Sequence, residues 1–458
     1  MTLSTSKNGS AVTETYINDA LQADLSTLVE SALAQAKSRG ASSAEAAAHA
    51  SRGFSVTVRL GDVETIEHNR DKSLGITVFF GDHSGSASTS DFSPQAVRDT
   101  VQAACSIARY TAEDPFGGLA DKEQMATRIL DLDLHHPWDL TVPQAIEVAQ
   151  SCEQVARDSD KRIINSEGAT LSSHEGIEVY ANSHGFLAGQ RSSRHSLGCA
   201  VVGQDDRGMQ RDQWYSVARR AQDLDLAETV GAQAAQRTLR RLDARQLSTR
   251  KAPVVFEAPI ASSVLGHLGA AIQGSNLYRK ASFLVDHQGK QLFAPHVQIH
   301  ENPHICRGLG SSAYDNEGVT THPRDLVTDG ILQGYLLDSY SARKLGLQST
   351  GNAGGVHNMI IKPGEDNLSG LLAAMGTGLL ITELIGFGVN ILTGDYSRGA
   401  AGFWVENGEI QHPVDEITVA GKLQDMFQGI IKVGQDVDIR KNIRTGSLLI
   451  DNLTIAGS

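Results

Sequence analysis

The string His300-Glu301-Asn302-Pro303-His304 carries the residue types of a zinc hydrolase. Two imidazoles one helical turn apart can share a metal ion, and the glutamate between them can activate the metal-bound water. That geometry exists only in a helix, and Pro303 opposes one. A proline inside a helix loses a hydrogen bond and clashes with the preceding turn, at about 3 kcal/mol or more. It also drives the residue before it, Asn302, out of the helical region. Upstream, Pro295-His-Val-Gln-Ile-His alternates as a strand does. In an extended chain, residues 300 and 304 share a face but stand roughly 13 Å apart, at about 3.3 Å per residue. The segment therefore reads as a strand entering a polar turn, its imidazoles bonded to backbone.

Other reactive side chains lack a supporting pattern. Ser397 sits in Asp-Tyr-Ser-Arg-Gly, without the G-x-S-x-G elbow. Cys306 follows His304 by two residues, but adjacency in sequence is not triad geometry. Gly308-Leu-Gly310 and the glycine-rich residues 351–355 have no Walker lysine and read as turns or close strand approaches. Cys105, Cys152, Cys199 and Cys306 form no C-x-x-C pair and are expected as buried free thiols. Arg279, Arg398 and Trp404 suit a peptide groove. There an extended chain adds as a strand, an arginine holds a carboxylate and an indole packs on a side chain. Internal ion pairs for the arginines and core packing for Trp404 are the alternatives.

The elements that must position these residues are legible in part. Residues 24–37 carry apolar side chains at helical spacing, with Gly40 as a stop. Strand-like runs follow at residues 54–60, 63–68 and 74–80, and Ser93-Pro94 opens a second helix. The order then repeats: a helix from Val142-Pro143 to residue 155, runs at 176–181, 185–190, 196–203 and 213–217, and a helix over 227–242. Beyond the polar, basic residues 242–251, most signals are strand and turn, with helices at 261–272, 339–345 and 368–375. Asn407-Gly408 after Phe403-Trp404-Val405 is a strong hairpin signal. Gly394, Gly399 and Gly402 punctuate a polar turn ahead of it. The expected class is α+β. A lead-in over 1–20, disordered, precedes an N-terminal α+β domain over 21–244, built of two related helix–strands–helix subdomains (about 21–130 and 131–244). A large twisted antiparallel β-rich domain spans 245–458.

At 458 residues with 40% hydrophobic and 20% charged side chains, the composition is that of a globular chain. No apolar run approaches the ~18 residues that span a bilayer, and the N-terminus lacks a secretory apolar region. A cytoplasmic protein away from membranes is expected. The formal net charge of −13 disfavours nucleic acid, which demands a basic footprint.

Several ordered strings resemble the PmbA/TldE proteins, the partner half of the TldD/TldE peptidase family. They are residues 392–421, Ser275-Asn-Leu-Tyr-Arg-Lys280, Gly308-Leu-Gly-Ser311, Asp315-Asn-Glu-Gly-Val319 and residues 446–457. The resemblance runs over essentially the whole chain, most densely from about Val254. It implies a complex with a TldD-type subunit that cleaves unfolded or leader peptides as a zinc metallopeptidase. The TldD-type partner carries H-E-x-x-x-H on a helix and a cysteine near its C-terminus. The matching positions here are Gly266 and Ala271, with His267 at the glutamate position, and Thr445 at the cysteine position. The resemblance thus implies no zinc bound by this chain, zinc in the partner, and a role in structure and substrate groove. His267 is expected as a hydrogen-bonded histidine. An isolated chain that pairs as a homodimer is compatible with this. Two other classes remain open: an autonomous metallopeptidase using His300, Glu301 and His304, and a peptide-binding or regulatory protein with no peptidase partner.

Overall fold

The computed structural model describes residues 17–457. Most of the expected lead-in, residues 1–16, lies outside the described residues. Its remainder does not fit the expectation: Ile17 is buried and helix α1 (Asp19–Ser38) begins two residues later, capped by the Asn18 side chain.

Two α-βββ-α units share one six-stranded sheet. The first unit is α1, β1 (Ser43–Arg59), β2 (Asp62–Phe80), β3 (His83–Thr89) and α2 (Pro94–Tyr110). The second is α3 (Val142–Asp158), β4 (Ile163–Asn182), β5 (Leu187–Asp205), β6 (Gly208–Ala218) and α4 (Ala227–Leu239). Strand order is β3-β2-β1-β4-β5-β6, so the units join through an antiparallel β1–β4 pair. Helices α1 and α2 cover a core containing Ala46, Ala48, Leu74 and Ile177. A separate core, with Val56, Leu171, Leu197 and Val230, lies under α3 and α4.

The runs at 63–68 and 74–80 are one strand, β2, and those at 185–190 and 196–203 are one strand, β5. β2 extends beyond its buried face. The first twelve residues of β2 are exposed, and alternation begins only at Leu74, so a period-2 search finds fragments.

The second half holds β7 (Arg250–Phe256), α5 (Ala258–Ala271), α6 (Gly274–Tyr278), β8 (Ile299–Glu301), β9 (Arg324–Thr328), β10 (Ile331–Leu332) and α7 (Ser339–Leu345). It continues with β11 (Met359–Ile361), α8 (Leu368–Met375), β12 (Gly378–Ile385), β13 (Val389–Asn390), β14 (Asp395–Glu406), β15 (Glu409–Lys422) and α9 (Leu423–Gln428). The last strands are β16 (Ile430–Val433), β17 (Ile443–Arg444) and β18 (Leu448–Ala456). A five-stranded sheet runs β10-β9-β8-β11-β17. The larger sheet closes on itself: β7 pairs β12 and β18, β18 pairs β15, β15 pairs β14, and β14 returns to β12. This small barrel is not purely antiparallel, since β7–β12 is parallel; in the five-stranded sheet β11–β17 is parallel too. Closure leaves this barrel without the open edge that an added peptide strand would need.

The Asn407-Gly408 hairpin joins β14 to β15 as expected, with both residues at positive φ (53° and 80°). The turn expected around Gly394, Gly399 and Gly402 is mostly strand. Residues 395–406 form β14, and Gly402 answers a close approach: a Cβ there would stand 1.9 Å from the Leu380 carbonyl oxygen.

Candidate functional site

Helix α5 is apolar along its length, with Val264, Leu265 and Leu268 fully buried. Pro259 sits in its first turn, where the missing N–H costs nothing. The helix packs beside β17, so that a Cβ at Gly266 would meet only the Ile443 side chain, at 3.8 Å. Ala271 and Thr445 are both fully buried, and the Thr445 hydroxyl donates to the Gly446 carbonyl at 2.7 Å. His267 lies edge-on to Tyr396, ring centroids 5.9 Å apart. It is not the hydrogen-bonded histidine expected: its buried Nε2 has no partner among the described residues. Burial, with Arg398 adding to it, pushes the imidazole down to about 4, so it is neutral at ordinary pH. The Tyr396 hydroxyl is likewise buried without a partner.

A metal ion does not fit these side chains. Gly266 and Ala271 offer no donor atoms, and the Thr445 hydroxyl is engaged. Among the described residues, no group of three or more His, Cys, Asp or Glu could hold one. Cations stand around the helix instead. Lys441 donates to the Pro259 carbonyl at 2.8 Å and the Ser262 hydroxyl at 3.1 Å. Burial lowers both Lys441 and Arg444, and among the described residues Arg444 Nε has no hydrogen-bond partner. Arg398 projects from β14 into a cleft between α5, β12 and the first sheet's β6.

The three groove residues are dispersed. Arg398 lines that cleft; Arg279 is exposed at the C-terminus of α6, its guanidinium over the Tyr278 ring. Trp404 is 7% exposed in the main core, donates Nε1–H to Glu406 at 2.9 Å and carries Arg250 over its ring. Ser397 is exposed on β14.

The segment 300–304 runs from β8 into a turn, and its side chains have separate tasks. His300 Nδ1 meets Asp325 at 2.9 Å, and His304 Nε2 meets the Thr321 hydroxyl at 3.0 Å. Both imidazoles therefore engage side chains rather than the backbone expected. Glu301 is 1% exposed and accepts from Arg324 Nε, Asn352 Nδ2 and the His357 amide at 2.8–2.9 Å. It pins the glycine-rich loop over residues 351–355. Cys306 is exposed, unlike the other three cysteines, because it lies in the turn beyond β8 rather than on a packed element.

Sequence reasoning passed over Asp315, which is 2% exposed and accepts from the Glu317, Val319 and Ala353 amides at 2.9 Å. Burial pushes its carboxyl up to about 7. Its signal was present in the Asp-Asn-Glu-Gly-Val string. The run ends in a bridge between Met125 and Val319 that fastens the long 112–141 connection to the second half.

Three family models match along the chain. They are the PmbA/TldA metallopeptidase domain 1 over residues 44–108, the central domain over 135–242 and the C-terminal domain over 249–457. The chain is 51% identical over 437 residues to the Metalloprotease PmbA of Escherichia coli O157:H7, covering 95% of this chain and 96% of that one. It is 47% identical to the Metalloprotease PmbA homolog of Haemophilus influenzae, covering 98% and 99%. A Metalloprotease TldD homolog of the same organism is 24% identical over 355 residues, covering 70% and 73%. Among solved structures, TldE from Thermococcus kodakarensis superposes with a TM-score of 0.83 at 20% identity, covering 93% and 99%. A Bacteroides thetaiotaomicron structure gives 0.91 at 26%, covering 97% and 100%.

Proposed function

The chain belongs to the PmbA/TldA metallopeptidase family, and from that premise we propose that it is the metal-free subunit of a cytoplasmic two-chain peptidase. A TldD-type partner supplies zinc and the general base, and this chain supplies structure and part of the groove for unfolded or leader peptides. The observation that carries the reading is α5 itself. Where the partner's motif needs donors, this helix has Gly266 and Ala271, and the position matching the partner's cysteine is Thr445, whose hydroxyl is engaged by the Gly446 carbonyl. His267, at the glutamate position, is uncharged and packed on an aromatic ring, which suits a wall better than a base. The residues of this chain would then bind and orient: cations around α5 attract carboxylates, and the barrel strand β14 holds one of them, Arg398, in place.

A second reading, an autonomous peptidase, draws on the names of the curated relatives, which are called metalloproteases. Against it stands Glu301, whose carboxylate is occupied by three donors. The two readings separate on zinc content and peptide cleavage by the purified chain, alone and mixed with a TldD-type subunit. Substoichiometric zinc and no cleavage alone, with both gained in the mixture, is the expected result. One firmly bound zinc per isolated chain, lost in His267→Ala or His300→Ala, would overturn it. Co-purification without any TldD-type chain would favour a pure peptide-binding protein, and sizing of the isolated chain reports whether it pairs with itself.

A further inference from the structure

A cleft of about 320 Å³ lies between β6 of the first sheet and α5, β12 and β14 of the second half. Five cationic side chains and two carboxylates line it. Most are paired. Arg237 meets Glu257 at 2.9 Å and Asp212 at 3.3 Å, and Glu383 meets Arg241 at 2.5 Å. Arg211 lies 3.5 Å from Glu167. Arg440 forms a two-point pair with Asp438 at 2.9 Å and lies on the Trp214 ring, 3.7 Å from its centroid.

Two cations remain. Lys441 bonds only neutral oxygens, and Arg398 forms no ion pair among the described residues, its Nε buried without a partner. The Thr382 hydroxyl, 3% exposed and also lining the cleft, has no partner either. Leaving partly buried cations uncompensated is costly. In a chain with 53 acidic residues against 40 basic ones, carboxylates are abundant, yet among the described residues none pairs with Arg398, and Lys441 feels only Asp438, which is already paired with Arg440.

The adjoining strand restricts how a ligand can approach. On β6 the Arg211 and Tyr215 carbonyls accept from Arg241 and Arg440, and the Gln213 amide donates to the Asp212 side chain. That edge has little free backbone for an added strand. A peptide would enter end-on, and the end that cations select is the carboxyl one.

We propose that this cleft is a carboxylate site in which Arg398 and Lys441 hold the free C-terminus of a peptide, with the Thr382 hydroxyl as a third donor. Arg440, locked by Asp438 and Trp214, forms a fixed wall. That the carboxylate belongs to a peptide rests on the function proposed above; the anion site itself does not.

The test uses the full chain alone, without partner or metal. Titrations with acetyl-trialanine as the free acid, with its C-terminal amide and with acetate are followed by calorimetry and tryptophan fluorescence. The free acid is expected to bind at least tenfold more tightly than the amide, a difference of 1.4 kcal/mol. Arg398→Gln and Lys441→Gln should each weaken the acid tenfold or more, and Arg398→Lys should retain most of the affinity. The thermal midpoint of Arg398→Gln should not fall, since an unpaired cation is removed; Lys441→Gln also gives up its bonds to Pro259 and Ser262 and is compared at a temperature where it is folded. Equal binding of acid and amide, or parental affinity in Arg398→Gln, overturns the proposal. Acetate binding as tightly as the tripeptide overturns the assignment to a peptide C-terminus. Because no zinc or partner enters, failure here leaves the subunit reading standing, and failure of the zinc experiment leaves this site standing.

Discussion

Glu301 offers a sharp test, because chemistry and structure predict opposite phenotypes for it. Its Oε1 accepts from both Asn352 Nδ2 and the His357 amide, and its Oε2 accepts from Arg324 Nε. In Glu301→Gln the remaining carbonyl oxygen can keep the first two bonds, while an NH2 group is turned toward a guanidinium N–H. Breaking a buried ion pair on one side costs about 3–5 kcal/mol. The lower end applies, since the Arg324 side chain is 21% exposed and keeps its bonds to Tyr335 and Asn352. Glu301→Ala also abandons the other two donors, each worth about 1–3 kcal/mol when stranded. At a urea slope near 3 kcal/mol per M, about 3 kcal/mol lowers the unfolding midpoint by about 1 M. Amide exchange at residues 351–358 should accelerate in parallel, since that loop hangs on the carboxylate. In the double variant Glu301→Leu with Arg324→Met, the cost should fall well short of the sum of the single changes. A Glu301→Gln protein with parental stability and exchange, but with peptide cleavage lost in the complex, would refute the structural role and restore Glu301 as a base.

Burial holds the Asp315 carboxyl near 7 against 3.8 unfolded, so its contribution is fully present below about pH 4 and lost as pH rises through 7. Parental stability should therefore fall across that window, by at most about 4 kcal/mol, with Glu45 and Glu317, also raised by burial, acting in the same direction. Asp315→Asn should flatten the urea midpoint plotted against pH; an unchanged slope would remove Asp315 as its source. His267 has the opposite sign: held down near 4, it contributes above about 6.5 and the contribution is lost as pH falls toward 4. His267→Phe should flatten this acid limb, and Arg398→Gln should move the imidazole upward, read by NMR titration. Gly402→Ala, with its Cβ 1.9 Å from a carbonyl oxygen, should cost about 3 kcal/mol or more. Gly269→Ala on α5, where a Cβ meets nothing within 4 Å, should stabilise by roughly 0.5–1 kcal/mol through helix propensity. Paired urea melts check both, and equal effects would contradict the packing described.

Local signals carried much of this protein. Pro94 and Pro143 at helix starts, the helices at 339–345 and 368–375, and the Asn407-Gly408 turn each depend on a few adjacent residues, and the structure holds them where the residues indicate. The Pro303 argument against a helix is of the same kind, because steric exclusion acts within one turn. What required the folded chain was everything set by distant partners. Closure of β12 on both β7 and β14 turns glycines that look like turn residues into close contacts within a barrel. The exposed reach of β2 hides its length, because alternation records burial on one face and not pairing. Arg398, Lys441 and Thr382 are spread over 60 residues of sequence, and nothing in their spacing joins them. Residue types determine which charges a chain possesses; only the tertiary structure decides which of them find a counter-ion, because in a folded interior the partner is chosen by packing and not by proximity along the chain.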